Sequence, residues 1–307
     1  MIESEAGEPI SGPRGHEDVR VLPLKCNYIR KNGAGRLGAV GQSIRDDRKG
    51  EARVAALQAA PREVREFLCC RLCRDYDLVN SQSSILLQLQ SKLTWDHAHT
   101  PKPLVELRSW VEDRAAFIDH IAEVHALPSD EEKWCDYRKD VCKKLILRLI
   151  FGGFYESWIR ATVARSPDFE PRSPRVNALF AELNGLRDDV FTSKEWRDFY
   201  QKDYDRLVDE GIKRKHLDRN NSIFARIAQT IEDQILGVMF EFAKKAGFRV
   251  TTLAYDGLMI LNDDTRTLNL REMEASILER TGYAMRIVEK PLFSHSFPTL
   301  SLKRSSD

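Results

Sequence analysis

The sequence predicts an α+β fold, rich in helix and closed by a small antiparallel sheet. Three observations carry this reading. Apolar residues recur at helical spacing through most of residues 81–246, as with Ile85, Leu86, Leu89 and Leu93. The apolar run Phe248 to Tyr255 meets a return run, Leu258 to Leu261, across Asp256-Gly257, a hairpin signal. Two more short strands are expected, at 75–79 and 284–289, so the strands are few and widely separated in sequence.

In chain order, residues 1–20 are rich in Glu, Gly, Pro and Ser, and 1–30 reads as a disordered tail. Residues 31–53 carry Gly33, Gly35, Gly38, Gly41 and Gly50 among Arg and Lys, which predicts a basic, irregular segment. Pro61 suits a first helical position and opens a helix over 62–73. A strand at 75–79 and a helix at 81–93 follow, then a loop at 95–101. Helices are expected at 102–125 and 129–151, the second ended by Gly152-Gly153, as glycine commonly does past a C-cap. More are expected at 155–165, 174–185, 193–211 and 222–246, the last long, amphipathic and stopped by Gly247. A helix at 267–281 and the strand at 284–289 come after the hairpin, and no internal repeat is seen.

Composition bounds the function. The 307 residues are 42% hydrophobic and 31% charged, a soluble composition. No apolar run approaches the ~18 residues that span a bilayer, so no membrane contact is expected. The first thirty residues lack an apolar signal core, so a secretory signal is not expected. A net charge of +1 excludes a uniformly basic protein yet leaves room for a local basic channel. Six cysteines in so long a chain do not make a disulfide scaffold and fit a reducing cytoplasmic or nuclear compartment. Cys70-x-x-Cys73 has no second ligand pair, so reduced thiols are expected rather than zinc. His97 and His99 read as polar loop residues, and Trp110, Trp134, Trp158 and Trp196 as core.

Two aspartates stand out by position. Asp77 lies in a strand just before a helix, with Asp75 beside it, and Asp256 sits at a hairpin tip. Each also has a plain reading, Asp256 as a turn residue and Asp77 as a helix cap. Residues 138–151 carry Arg138, Lys139, Lys143, Lys144 and Arg148 against the single acid Asp140. At ~100° per residue, Lys139 and Lys143 share a helix face, with Phe151 within about 80° of Lys143. That face is either a solvated basic surface or a triphosphate-binding helix ending in an apolar platform for a base. Two carboxylates brought side by side on a sheet are able to hold two divalent ions, which activate a hydroxyl and stabilise a leaving pyrophosphate. Together these parts describe a nucleotidyl-transfer site.

The order of segments resembles the family A DNA polymerases. Gly35-Arg36-Leu37 is similar to the family's T-G-R-L segment, and Leu57-Gln58 through Pro61-Arg62 to Arg65 to its N-L-Q-N-I-P segment. Asp75-Tyr-Asp77-Leu-Val-Asn80-Ser81-Gln82 resembles motif A, and Lys139-x3-Lys143-x7-Phe151-Gly152 resembles motif B. Gln229 to Leu236 resembles the segment of the next long helix, and Ala254-Tyr255-Asp256-Gly257 resembles motif C. The matches span about 35–290, most of the chain.

The resemblance implies a right-hand architecture: a palm at 31–99 and 220–307, helical fingers at 100–219, and a reduced or absent thumb. It implies that Asp77 and Asp256 ligate two Mg²⁺ ions, for which Mn²⁺ substitutes, and that Lys143 contacts the triphosphate. Register favours Lys139 for the motif B arginine role, and chemistry favours Arg138. Phe151 would stack on the nascent pair; Arg36, Arg65, Gln229 and Tyr255 would face the nucleic acid; Gln82 would border the sugar. The implied partners are a DNA or RNA primer-template, (d)NTPs and a separate helicase or primase. The chain departs from the family at Gln82, where the family has Glu, and at Tyr255 and Gly257, in place of His and Glu. DNA synthesis in replication is the leading expectation. RNA synthesis, template-independent end addition, a catalytically degenerate nucleic-acid-binding replication subunit and a helical scaffold unrelated to polymerases stand beside it.

Overall fold

The structure, a computed structural model, describes residues 2–3, 27–30, 37–40, 42–46, 50–54, 58, 65–66, 69–70, 72–128, 132–162, 172–210, 216–254, 256–263 and 265–292. It divides into two compact units, Met1–Val79 with Asp233–Asp307, and Asn80–Glu232. The α+β class holds: most described residues are helical, and the largest sheet has four antiparallel strands.

That sheet belongs to the first unit. Strands β1 (Ile2–Glu3), β2 (Asn27–Arg30) and β3 (Leu37–Val40) form a separate antiparallel sheet, and β4 (Gln42–Asp46) pairs with β5 (Gly50–Val54). Residues 31–53, expected to be irregular, thus contribute three strands. Backbone ladders define them, and the glycine-rich composition hides the alternation that would have revealed them. Of the helix expected at 62–73, Arg65, Glu66 and Cys69 are helical, and Cys73 already opens β6 (Cys73–Leu78).

β6 is the central strand of the larger sheet, whose remaining members are β7 (Val250–Ala254), β8 (Gly257–Leu261) and β9 (Ile287–Lys290). The order is β7-β8-β6-β9. Tyr76, Leu78, Leu253, Leu258 and Ile260 bury their side chains in this sheet. The outer edge of β7 is capped by a side chain: the Leu253 N–H donates to the Tyr28 hydroxyl at 3.0 Å. Gly257 pairs with Ala254, so it is a strand residue rather than a turn residue.

The second unit is helical: α1 (Ser81–Leu89), α2 (Val105–Glu112), α3 (Arg114–Val124), α4 (Glu132–Ile150), α5 (Tyr155–Thr162), α6 (Pro174–Thr192) and α7 (Arg197–Asp209). The 30-residue α8 (His216–Lys245) contributes residues to both units, and α9 (Leu270–Thr281) lies in the first. The single helix expected at 102–125 is two. Asp113 accepts a hydrogen bond from the Ala116 N–H at 3.2 Å and caps α3, which interrupts the helical path. The α2 N-terminus is capped from α6, where the Glu182 carboxylate accepts the Glu106 and Leu107 N–H groups at 2.9 and 3.0 Å. Leu107, Trp110, Phe117, Leu145 and Trp158 lie in the core, so Trp110 and Trp158 are core residues.

The end of α4 is a Schellman turn. Gly153 N–H donates to Arg148 O at 2.7 Å and Gly152 N–H to Leu149 O at 3.0 Å. Gly152 has φ +74°, and a Cβ there would sit 2.0 Å from the Asn221 side chain. Asn221 in turn donates to Gly152 O at 3.2 Å and accepts from Arg187 at 2.7 Å. Gly152→Ala should therefore lower stability by about 1–3 kcal/mol, read by urea denaturation. A change under about 0.5 kcal/mol would mean that the turn relaxes freely.

Candidate active site

Asp77 is held by two ladders. It pairs with Gly257 on β8 and with Val288 on β9, and its side chain is 9% exposed. One residue on, the Leu78 N–H donates to the backbone carbonyl of Asp256 at 2.9 Å. The sheet thus brings the two aspartates to one end of adjacent strands, with Asp256 half-buried in the hairpin turn. Asp75 lies two residues back along β6, on the same face as Asp77.

Gly257 carries this arrangement. A Cβ on it would meet Tyr76 O at 2.2 Å, Asp77 Oδ1 at 2.8 Å and Asp77 Cα at 3.0 Å. A side chain at this position would have to move the backbone of β6. Among the described residues no group of three or more His, Cys, Asp or Glu side chains is arranged to hold a metal. Two carboxylates suffice for Mg²⁺, which retains waters and binds through one or two carboxylates plus substrate phosphates. The hard oxygen donors of Asp77 and Asp256 suit that ion. Asp77 already has a stand-in cation, the ammonium of Lys290, ion-paired to its Oδ2. Lys290 is absent from the sequence-predicted set because β6 and β9 meet only in the folded sheet.

The basic helix belongs to the second unit. Lys139 and Lys143 are both exposed on α4, as their spacing of four predicts. Lys139 lies 3.6 Å from Asp136, and Lys144 lies 2.6 Å from Asp140. Lys143 has no ion-pair partner among the described residues. Arg138 turns away from this face toward Asp119 on α3, 3.9 Å distant, with its side chain 21% exposed. Phe151, the residue at the end of α4, is half-buried and lines a cavity of about 520 Å³ with Arg148, Gly152, Gly153, Phe154, Ser157, Asn221, Ser222 and Ala225. That volume lies within the range of small-molecule sites. Arg148, Ser157 and Asn221 are functional candidates that the sequence reading missed. Arg148 was visible as one more cation on α4, whereas Asn221 approaches Gly152 only through the fold.

Gln82 is buried. Its amide donates to both oxygens of Glu232, at 3.1 and 3.0 Å, and Ser81 donates to the same carboxylate at 2.6 Å. Glu232 is fully buried on α8. An acid between Ile231 and Ile235 on an apolar stripe was the available sequence signal for it. Gln229 is half-buried on the same helix. Arg65 is half-buried in the first unit, and Arg36 and Tyr255 lie outside the described residues. His99 pairs with Asp189 at 2.9 Å.

The cysteine cluster brings the Cys69 and Cys73 thiols into hydrogen-bond contact. Cys69 donates a hydrogen bond to Cys73, which pulls the Cys73 thiol down to about 7, and Thr251, 3.5 Å away, adds to this against the opposing effect of burial. Cys69, left holding the shared proton, is raised.

No family model matches the sequence. One curated relative, "Putative helicase V13" of Sputnik virophage, is 25% identical over 243 residues, covering 77% of this chain and 27% of that protein. Among solved structures, the chain is similar to the "POL domain of Pol1 from M. smegmatis complex with DNA primer-template and dNTP", with a TM-score of 0.47 and 14% identity, over 90% of this chain and 48% of that one. The chain thus spans about a quarter of the curated relative and about half of the solved chain. No helix among the described residues is long and apolar enough to cross a membrane.

Gly257→Ala should cost about 2–4 kcal/mol in a denaturation titration, because the obstructing atom is a backbone carbonyl. An unchanged midpoint would mean that β8 slides past β6 without penalty. Alkylation of Cys73 by iodoacetamide should rise with pH around a midpoint near 7. Below that pH the proton returns and the rate falls, because the thiolate is the nucleophile. Cys69→Ala should move the midpoint upward, and an unmoved midpoint would exclude Cys69 as the donor.

Proposed function

We propose that this chain is a nucleic-acid polymerase that transfers nucleotides from (d)NTPs to a 3′-hydroxyl, with DNA the favoured product. The observation that carries the reading is the register of β6 against β8, which pairs Asp77 with Gly257 and so sets Asp77 beside the hairpin turn that carries Asp256. Divalent ions held by the two carboxylates would lower the barrier to hydroxyl attack and offset charge on the departing pyrophosphate.

The other roles follow from this chain's residues. Lys143, exposed and without an ion-pair partner among the described residues, is suited to a triphosphate. Lys139 shares its face and takes the second cationic role, because Arg138 is directed to Asp119. Phe151 offers a ring at the wall of the cavity for stacking on a base, and Arg148 offers a charge there. Gln82, which stands where the resemblance puts a glutamate, holds the Glu232 carboxylate, and this pair is the candidate sugar filter. Arg36, Arg65, Gln229 and Tyr255 are assigned to the primer-template. In this reading residues 31–99 and 220–307 serve as palm and 100–219 as fingers.

The viral relative is named a putative helicase, and this chain corresponds to about a quarter of it. Within the 307 residues there is no G-x-x-x-x-G-K-[ST] phosphate-binding loop, so the helicase in that name has no motor motif here. Gly257 favours one other reading, a catalytically degenerate nucleic-acid-binding subunit, because it stands where the resemblance would put an acid.

Primer extension separates them. With Mg²⁺ and a labelled primer-template, the protein should extend the primer, dNTPs should outperform NTPs, and Asp77→Ala and Asp256→Ala should each reduce incorporation by at least about a thousandfold while the fold is retained. Lanes without template test end addition. No extension by a folded protein that still binds DNA would replace the polymerase reading with the binding subunit.

A further inference from the structure

Asp77 carries a carboxylate whose side chain is 9% exposed, and such a buried charge needs a counter-charge. Lys290 supplies it from β9, an edge strand of the sheet, with its own side chain 50% exposed. The two ends of this ion pair are therefore unequal. Asp77 is locked between two ladders, whereas the lysine stem reaches in from the solvent side and its ammonium regains full hydration when it swings out. Lys290 also has a second anion within its own register: its backbone pairs with Asp75, which shares a face of β6 with Asp77.

We propose that the Lys290 ammonium is a resident counter-cation of Asp77, and that a divalent cation occupies Asp77 by displacing it toward Asp75 and solvent. This rests on the reading of Asp77 as a metal ligand. Lys290 then keeps the Asp77 charge compensated when no metal is bound and sets a threshold for metal entry. The apparent metal affinity is the intrinsic one reduced by the fraction of molecules in which the lysine is out. Lys290 is a positioning residue here, because it tunes the metal site without touching the nucleotide.

The test reads metal binding directly, through the free Mn²⁺ signal in electron paramagnetic resonance. Lys290→Gln should tighten Mn²⁺ binding by about tenfold if the lysine-out fraction is about a tenth. Lys290→Arg should keep binding near the wild-type level. Without metal, Lys290→Gln should melt at a lower temperature than wild type, and saturating Mn²⁺ should close the gap. Should Lys290→Gln not fold, the unaltered protein serves: acylation of Lys290 by an N-hydroxysuccinimide ester, followed by peptide mass spectrometry, should accelerate when Mn²⁺ is added. Equal Mn²⁺ affinity in wild type and Lys290→Gln, with Asp77→Asn abolishing binding, would overturn the displacement and leave Asp77 as a ligand. Lys290 acylation unchanged by bound Mn²⁺ would do the same. Mn²⁺ binding that ignores Asp77→Asn would remove both the displacement and the place of Asp77 in the proposed reaction.

Discussion

The approach of β8 to β6 at Gly257 is the contact on which the first unit turns. With no Cβ at that residue, the β8 backbone packs against Tyr76 O and Asp77, and the ladder from Cys73 to Asp77 closes without a bulge. That closure sets the Asp256 carbonyl on the Leu78 N–H and seats Asp77 between two strands, where its charge needs a cation. Remove the close approach and the aspartates lose their common frame, whatever chemistry they perform. One residue thus sets how closely β8 approaches the strand that carries Asp77.

The second unit shows a similar economy in polar contacts. Glu182 caps α2 from α6, Asp113 separates α2 from α3, and Asn221 bridges Arg187 to the α4 terminus. Each is a side chain answering backbone groups that helix ends leave open. The buried Glu232 is answered by Ser81 and Gln82, so the start of α1 is fastened to α8 by three hydrogen bonds. Of these contacts, that of Asn221 lies at the end of α4, where Phe151 and Arg148 line the cavity.

What the sequence made legible follows from the range of the forces involved. Helices were read from apolar period and terminators, so α4 ends at the expected Gly152-Gly153 and α8 stops before Gly247. The hairpin around Asp256 was read from two apolar runs, although Gly257 proved to be strand rather than turn. The divide at Asp113 escaped notice because an aspartate inside an amphipathic pattern looks like a surface residue until its cap is seen. The strands within 31–53 escaped because partner strands, not local period, define them. For the site, both aspartates and the Lys139–Lys143 face were legible from position and spacing. Lys290, Glu232 and Asn221 were not, since each meets its partner only through long-range pairing: Lys290 is 213 residues from Asp77, and Glu232 is 150 from Gln82.

The Tyr28 hydroxyl at Leu253 carries a consequence for colloidal behaviour. β7 is an edge strand, and the outward N–H of an edge is a template for another chain's strand. The phenol occupies that donor, and the opposite edge, β9, presents the charged pair Glu289 and Lys290 to solvent. Both borders of the sheet are thereby closed to strand addition, one by a side-chain cap and the other by charge. Trimming the chain past Tyr28 would unmask the β7 border and turn a self-limiting sheet into one open to edge-to-edge growth.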